Sequence, residues 1–459
     1  MAEIGRATPG TALASPAGQE ACRVVARLRT AGFEALLAGG CVRDQLLGVE
    51  PADWDVATSA PVLEVQKLFP RTVAVGARFG VVRILGGDAE TEVATFRSDG
   101  LYLDGRHPES VAPSDARGDA ERRDFTINAM FMDPVSGEIL DYVDGRRDLE
   151  ARVIRAVGDP VLRFREDHLR LLRAARFAAR LNAEIEPATF AAIRDAAPTI
   201  VEVAWERIGE EIVRMLLEGP PRRGLELLAA TDLLRWVLPE VEAMRGVAQS
   251  LPWHPEGDVF IHTLLCVAQL DETCRDDEAL ALAVLLHDVG KPGTAEQDAD
   301  GRIRFHGHEV QGESLSFAIC RRLRRSTETA ERVAWLVRHH LRHRDALAMA
   351  RSTLRRLLAA PDIDALLKLA RIDVLAGSGD LSTVEFCALE LEALGEVGRR
   401  LDPLLRGKDL LEMGYAPGPE IGRILARVLD EQLEGRLASV EEARAWVRAS
   451  LSRRIGAEG

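Results

Sequence analysis

Apolar and polar positions keep two different rhythms along this chain. Before about residue 150 they alternate in short β-branched runs; after it they recur at the spacing of helices. ACRVVARLRTAGF (21–33) predicts a first helix, EALLAGG (34–40) a short strand ending in a turn, and VRDQLLG (42–48) the opening of a second helix. WDVATS (54–59), RTVAVG (71–76), GVVRILG (80–86) and TEVATFR (91–97) predict strands, and GEILDYVDG (137–145) a further short strand or turn. EDHLRLLRAARFAARL (166–181) and AAPTIVEVAWERIGEEIVRMLL (196–217) are amphipathic at helical spacing. SLPWHPEGDVF (250–260) reads as a linker, and GYAPGPEIG (414–422) interrupts the last helical block. The expected layout is a loose tail at 1–20, a mixed α/β head at 21–149, a helical neck at 150–250, and helical blocks at 251–380 and 381–459.

Composition narrows the class. With 47% apolar and 29% charged residues in 459, the chain is globular rather than disordered. A net charge of −14 argues against non-specific coating of DNA and leaves room for a local basic groove. Cys22, Cys41, Cys266, Cys274, Cys320 and Cys387 form no CxxC pair, which fits a reducing compartment. Neither a secretory leader nor a membrane span is read, so the expected location is the cytoplasm.

The head carries candidate chemistry. In a strand, residues two apart share a face, so Asp53 and Asp55 project together with Trp54 opposite. Paired carboxylates repel unless a cation lies between them, and Mg²⁺ takes one or two carboxylates plus phosphate oxygens. Gly39 and Gly40 precede a helix start, where backbone N–H groups receive phosphate, and Arg43 stands in its first turn. Glu92 on a later strand is a third acid. Arg170, Arg173 and Arg176 recur every three residues, and Asp167 is expected to extend their row along the helix. An Asp accepting from an exocyclic amine, beside an Arg donating to ring acceptors, can select cytosine and adenine.

GGCVRD (39–44) with DWD (53–55), RRDFTINAMF (122–131), DGRRDL (144–149), EDHLRLLRAARF (166–177) and ERIGEE (206–211) resemble, in order, the five motifs of the class II nucleotidyltransferases. These lie within the DNA polymerase beta superfamily and include tRNA CCA-adding enzymes and bacterial poly(A) polymerases. The resemblance covers roughly residues 21–250. It implies that Gly40 and Arg43 contact the incoming nucleotide, that Asp53 and Asp55 bind Mg²⁺ with Glu92 as the third acid, and that Arg123 meets the triphosphate. Asn128 would sit near the ribose, Asp167 and Arg170 would read the base edge, and Arg173 and Arg176 would complete the site. FRSDGLYLDGRHPESVAPSDARGDAE (96–121), with Asp99, Asp104, Arg106 and His107, reads as a mobile loop. In the family a loop here accompanies the switch from C to A addition, and its full length favours complete CCA addition.

In LALAVLLHDVGKPG (280–293), His287-Asp288 ends an apolar helix stopped by Gly290 and Pro292. His262 in DVFIHTLL, His308 in FHGHEVQGE (with His306 as competitor) and Asp373 in RIDVLAG are further candidate ligands. His340 shares a helical face with Val333, Leu336 and Val337, from which His339 is rotated away. Imidazoles with carboxylates suit Mn, Ni, Fe or Zn. The set resembles the HD phosphohydrolase superfamily over about 255–380, which implies phosphatase or cyclic phosphodiesterase chemistry. RRLRR (321–325) is a candidate RNA contact whose plainer reading is a solvated helix end, and the C-terminal segment is expected to form helices contacting tRNA.

The expected fold is therefore α+β, a small mixed-sheet polymerase-beta-like head followed by a long all-α neck and body with an HD-type domain. The expected activity is template-independent CCA addition to tRNA from CTP and ATP with Mg²⁺, with no membrane or DNA partner. The rivals are a poly(A) polymerase, an A-only or CC-only enzyme, an HD hydrolase with a nucleotide-sensing head, and a non-catalytic tRNA-binding module.

Overall fold

The computed structural model describes residues 13, 15–76, 80–86, 89–100, 110–250, 257–271, 274, 276–398 and 402–455. The chain divides into two compact units: residues 1–243 with 322–325, and residues 244–321 with 326–459.

The first unit opens with α1 (Pro16–Thr30), capped by the Ser15 hydroxyl. Then come β1 (Ala35–Ala38), α2 (Gly40–Leu46), β2 (Asp55–Thr58), α3 (Val62–Leu68), β3 (Thr72–Gly76), β4 (Val81–Gly86) and β5 (Ala89–Thr95). With β8 (Phe131–Met132) and β9 (Ile139–Leu140) these strands form one seven-stranded sheet in the order 3-4-5-2-1-8-9. The β2–β5 pair is parallel, and its register sets Asp55 opposite Glu92. Trp54 is 2% exposed, while its neighbour Asp53 faces solvent and Asp55 is half-buried, so the alternation of this short stretch turns the two acids away from the core. Leu36, Ala57, Phe96, Phe131 and Val157 pack the sheet's core.

Two expectations need correcting here. The stretch 96–121 is not simply a loop: its described parts form β6 (Arg97–Asp99) paired with β7 (Val111–Pro113), then α4 (Ala116–Glu121). Asp104, Arg106 and His107 lie outside the described residues. The run 166–181 is not one helix. After α5 (Gly145–Glu150), α6 (Pro160–Glu166) ends at Asp167, which is extended, and α7 (Arg170–Arg180) follows. The Asp167 carboxylate accepts from the Leu169 N–H (3.1 Å). A short acidic side chain that binds nearby backbone in this way favours a bend over helix continuation, so Asp167 stands outside the arginine row. The unit continues with α8 (Pro187–Ala196), a 3₁₀ turn at 197–202, α9 (Trp205–Leu217) and α10 (Pro221–Ala230), and ends in two four-residue helical turns.

The second unit is helical. α11 (Val259–Val267) is capped by Asp258, and α12 (Glu278–Leu286) is buried from Ala279 to Leu286. A two-stranded hairpin of Glu296–Gln297 and Ile303–Arg304 precedes α13 (His308–Arg322). α14 (Thr327–His339), α15 (Arg351–Leu358) and α16 (Ile363–Ala376) follow, and then the C-terminal helices. A separate cluster of Leu405, Leu410, Val428, Leu437, Ala443 and Val447 packs the last of these together. Among the described residues no helix is long and apolar enough to cross a membrane.

Candidate functional site

Asp55 stands opposite Glu92 across the β2–β5 pair, and the charge of Asp53 bears on both. Burial, reinforced by the charges of Glu92 and Asp53 and opposed by Arg123, pushes the Asp55 carboxyl up to about 7. Burial also raises Glu92, with Asp53 adding to the effect and Arg83 opposing it. Crowded acids of this kind are relieved by a cation, so the donor set fits a hard divalent ion with oxygen ligands.

Gly39 caps α2 at φ +75°. A Cβ placed there would meet Arg123 Nη1 at 2.7 Å, so the turn's glycine is what lets Arg123 approach. Arg123 donates to the Asn128 carbonyl (3.1 Å) and, through Nε and Nη2, to Asp119 (3.2 and 2.9 Å), and its guanidinium lies 5.0 Å from the Phe131 ring centre.

Arg43 does not extend freely from the helix start toward the glycine turn. It is 3% exposed and donates to Asp44 Oδ1 (2.8 Å) and Asn128 Oδ1 (2.6 Å). Asn128 in turn donates to Asp124 (3.2 Å), which also accepts two bonds from Arg173 (2.9 and 2.7 Å). Burial alone would raise the Asp124 carboxyl. The charges of Arg173 and Arg170 and the hydrogen bonds from Arg173 and Asn128 outweigh it and hold the group at about 2. Arg176 donates to Glu211 (2.6 Å) and Glu218 (3.2 Å). Arg43, Arg173 and Arg176 surround the Phe177 ring at 5.3, 5.2 and 4.4 Å from its centre. Arg43, Asn128, Arg173 and Arg176 thus form one network. Asp124 and Glu211, absent from the sequence-derived set, are its acidic partners.

Asp167 is gripped by both terminal nitrogens of Arg207 (3.2 and 2.8 Å). Arg170 bonds instead to Glu166 and to the carbonyls of Arg163 (3.0 Å) and Arg122 (3.3 Å). Both side chains flank the α6–α7 bend but are not bonded to each other. Arg207 lies inside the ERIGEE motif, and only its spatial neighbour reveals its part.

The second unit gathers all six predicted metal ligands. His262 Nε2 lies 3.0 Å from Asp373 Oδ1 and 3.9 Å from Asp288 Oδ2. His287 Nε2 is 3.3 Å from Asp288 Oδ2, while His308 and His340 stand 3.6 and 3.9 Å from Asp288 Oδ1. The Nδ1 atoms of His287, His308 and His340 face the carbonyls of Val284 (2.9 Å), Phe305 (2.7 Å) and Val337 (2.7 Å). A carbonyl can only accept, so those nitrogens carry the proton and Nε2 presents a lone pair to the centre. The buried Nε2 atoms of His287 and His308 have no hydrogen-bond partner. Burial drives His340 down to about 3, the neutral form a metal requires. Burial opposes the charged form of Asp288, yet the Lys291 ammonium holds it well below the usual carboxylate range. His339 turns away and stacks on Trp335 at 4.6 Å.

Sequence reasoning passed over three groups here. Lys291 pairs with Asp288 (2.7 Å), Arg344 lies 3.5 Å from Asp373, and the Cys266 sulfur is 3.4 Å from His262 Nε2. Cys266 stands four residues beyond His262 on one helix, a spacing that puts both on one face, and Lys291 follows Asp288 across the turn after the next helix. Asp288, Lys291, Arg304, His308, Arg344 and Asp373 line a cavity of about 320 Å³.

Residues 35–155 match the model of the poly(A) polymerase head domain, 182–245 that of the probable RNA- and SrmB-binding site of polymerase A, and 259–377 that of the HD domain. The CCA-adding enzyme of Streptococcus gordonii is 33% identical over 429 residues, covering 93% of this chain and 95% of the relative. The A-adding tRNA nucleotidyltransferase of Deinococcus radiodurans is 35% identical over 433 residues, covering 90% and 95%. The crystal structure of the Bacillus stearothermophilus CCA-adding enzyme in complex with CTP superposes with a TM-score of 0.71 at 25% identity, covering 96% of this chain and 99% of that one.

Proposed function

This chain belongs to the tRNA nucleotidyltransferase and poly(A) polymerase family, and from that premise we propose that it adds CCA to tRNA 3′ ends from CTP and ATP. The observation that carries the reading is the Asp53–Asp55–Glu92 cluster beside the Gly39 turn and Arg123, in a chain similar from end to end to CCA-adding enzymes.

Asp53, Asp55 and Glu92 would hold Mg²⁺. When bound, that ion lowers the pKa of the attacking 3′-hydroxyl and offsets charge on the α-phosphate as pyrophosphate leaves. Gly39 and Gly40 let the triphosphate approach the start of α2, and Arg123 neutralises it. Asn128, fixed between Arg43 and Asp124, positions the ribose. Asp167 and Arg170 supply the acceptor and donor that select the base. Arg173 and Arg176, held by Asp124, Glu211 and Glu218, keep that constellation rigid.

Transcripts of tRNA ending before CCA, after CC and after CCA, supplied with CTP, ATP or both, test the reading. Addition of C, C and A followed by arrest is expected. Indefinite A addition would replace it with poly(A) synthesis, and addition of A to the CC end alone with the activity named for the Deinococcus relative.

A second activity is supported by the ligand cluster opening onto a cavity with Lys291, Arg304 and Arg344. These groups suit metal-assisted hydrolysis of a phosphate ester, with Mn, Ni, Fe or Zn as the candidate metals. Release of phosphate from model monoesters, or opening of 2′,3′-cyclic nucleotides, by metal-loaded protein is the expected result. No turnover with any of the four metals would leave the centre without that role.

A further inference from the structure

His262 and Cys266 stand four residues apart on α11, hence on one helical face, and both are wholly buried. One donor atom each from His262, Cys266, His287 and Asp373 lie within 4.8 Å of one another. Four donors on one tetrahedral cation at bond lengths of about 2.0–2.3 Å stand about 3.3–3.8 Å apart, so closure on an ion needs the widest pairs to draw in by no more than about an ångström. A buried cysteine is most often a small apolar filler. This one is not surrounded by apolar groups alone: its sulfur faces His262 Nε2, beside the partnerless Nε2 of His287.

We propose that Cys266 is a sulfur ligand of the metal in the second unit, placed with His262, His287 and Asp373, and that it biases this centre toward thiophilic divalent ions such as Zn²⁺ or Fe²⁺. The inference rests on the reading of this cluster as a metal centre. As the metal–sulfur bond forms, the thiol proton leaves to solvent. The charge is accommodated, because Asp288 and Asp373 each also face a cation, Lys291 at 2.7 Å and Arg344 at 3.5 Å. A thiolate favours Zn, Fe and Co over Mg and Mn, whereas the oxygen-rich cluster of the first unit favours the harder ions. The two centres would then load from different metal pools.

The test uses the full chain, stripped of metal and titrated with Co²⁺. Bound cobalt gives visible d–d bands, and a thiolate ligand adds an intense near-ultraviolet charge-transfer band. The expected result is both signals in the wild type, with the charge-transfer band lost and the d–d bands kept in Cys266→Ser. Zn²⁺ affinity of the variant should fall by roughly ten- to a hundredfold, with Mn²⁺ affinity little changed. X-ray absorption on the zinc-loaded wild type needs no variant and should show one sulfur at about 2.3 Å. A shell of nitrogen and oxygen only, or a charge-transfer band that survives in Cys266→Ser, overturns the role of Cys266. Failure to bind cobalt at all overturns the metal centre itself, and the inference with it.

Discussion

At the scale of single residues, the head's chemistry depends on charges that burial would forbid singly and that neighbours make tolerable. Asp53 and Asp55 are the proposed metal ligands, and removing either carboxylate should take away a ligand without disturbing Trp54 between them. Asp53→Ala and Asp55→Ala should each lower nucleotide incorporation by at least about a thousandfold while leaving the melting temperature near that of the wild type, as single-turnover assays and calorimetry will show. Asp124 makes the opposite point, because it holds the site from behind. Its carboxyl titrates at about 2 when folded, below its value in the unfolded chain. The stabilisation is therefore complete above about pH 4 and is lost as pH falls through about 2, and at neutral pH it amounts to about 2 kcal/mol. Asp124→Asn should unfold at lower denaturant at pH 7, and the gap should close between pH 4 and 2; a gap independent of pH would disprove the electrostatic account. Neither Asp124 nor the orientation of Arg43 was legible in the sequence. The Asp124–Arg173 pair joins residues 49 apart, and spacing reports helical and strand neighbours only. The alternation around Trp54 was legible because it is local.

Elements place these residues through their junctions more than through their middles. Helix and strand positions in the head followed from periodicity, but the α6–α7 break did not: the apolar spacing of 166–181 runs through it, and only the Asp167 side chain bonding to the Leu169 N–H shows where the helix stops. His340 was separable from His339 by the same periodicity, since its face carries Val333, Leu336 and Val337, all buried. Two glycine junctions make measurable claims. Gly39→Ala forces an L-residue to φ +75° and drives a methyl to 2.7 Å from Arg123 Nη1. It should cost about 1–2 kcal/mol of stability and raise KM for CTP and ATP together, since Arg123 is the residue proposed to meet the triphosphate and not the base. Gly290 follows the His287-Asp288 turn, and a Cβ there would lie 2.2 Å from the His308 carbonyl oxygen. Gly290→Ala should push the start of α13 away from Asp288 and weaken metal binding by roughly tenfold or more, read by zinc titration, with nucleotide incorporation unchanged.

For the whole molecule, the two units carry candidate ligand sets of different chemistry. The head's set is all oxygen and crowded with acids, whereas the second unit's is rich in imidazole and holds Asp288 ionised through Lys291. The order of five motifs announced the first and the HDVGK stretch the second, because short catalytic motifs keep their spacing wherever they sit in a chain. What the motifs omit is whether one centre serves the other. Independent centres predict a double dissociation. Asp288→Ala removes the residue that faces His287, His308 and His340 at once, so metal analysis should show a depleted second unit while CCA incorporation proceeds at the wild-type rate. Asp53→Ala should show the reverse, no incorporation and an unchanged content of the second unit's metal. If Asp288→Ala instead slows incorporation on tRNA transcripts with the head's melting transition intact, the two centres act on the same RNA end in sequence, and independence fails.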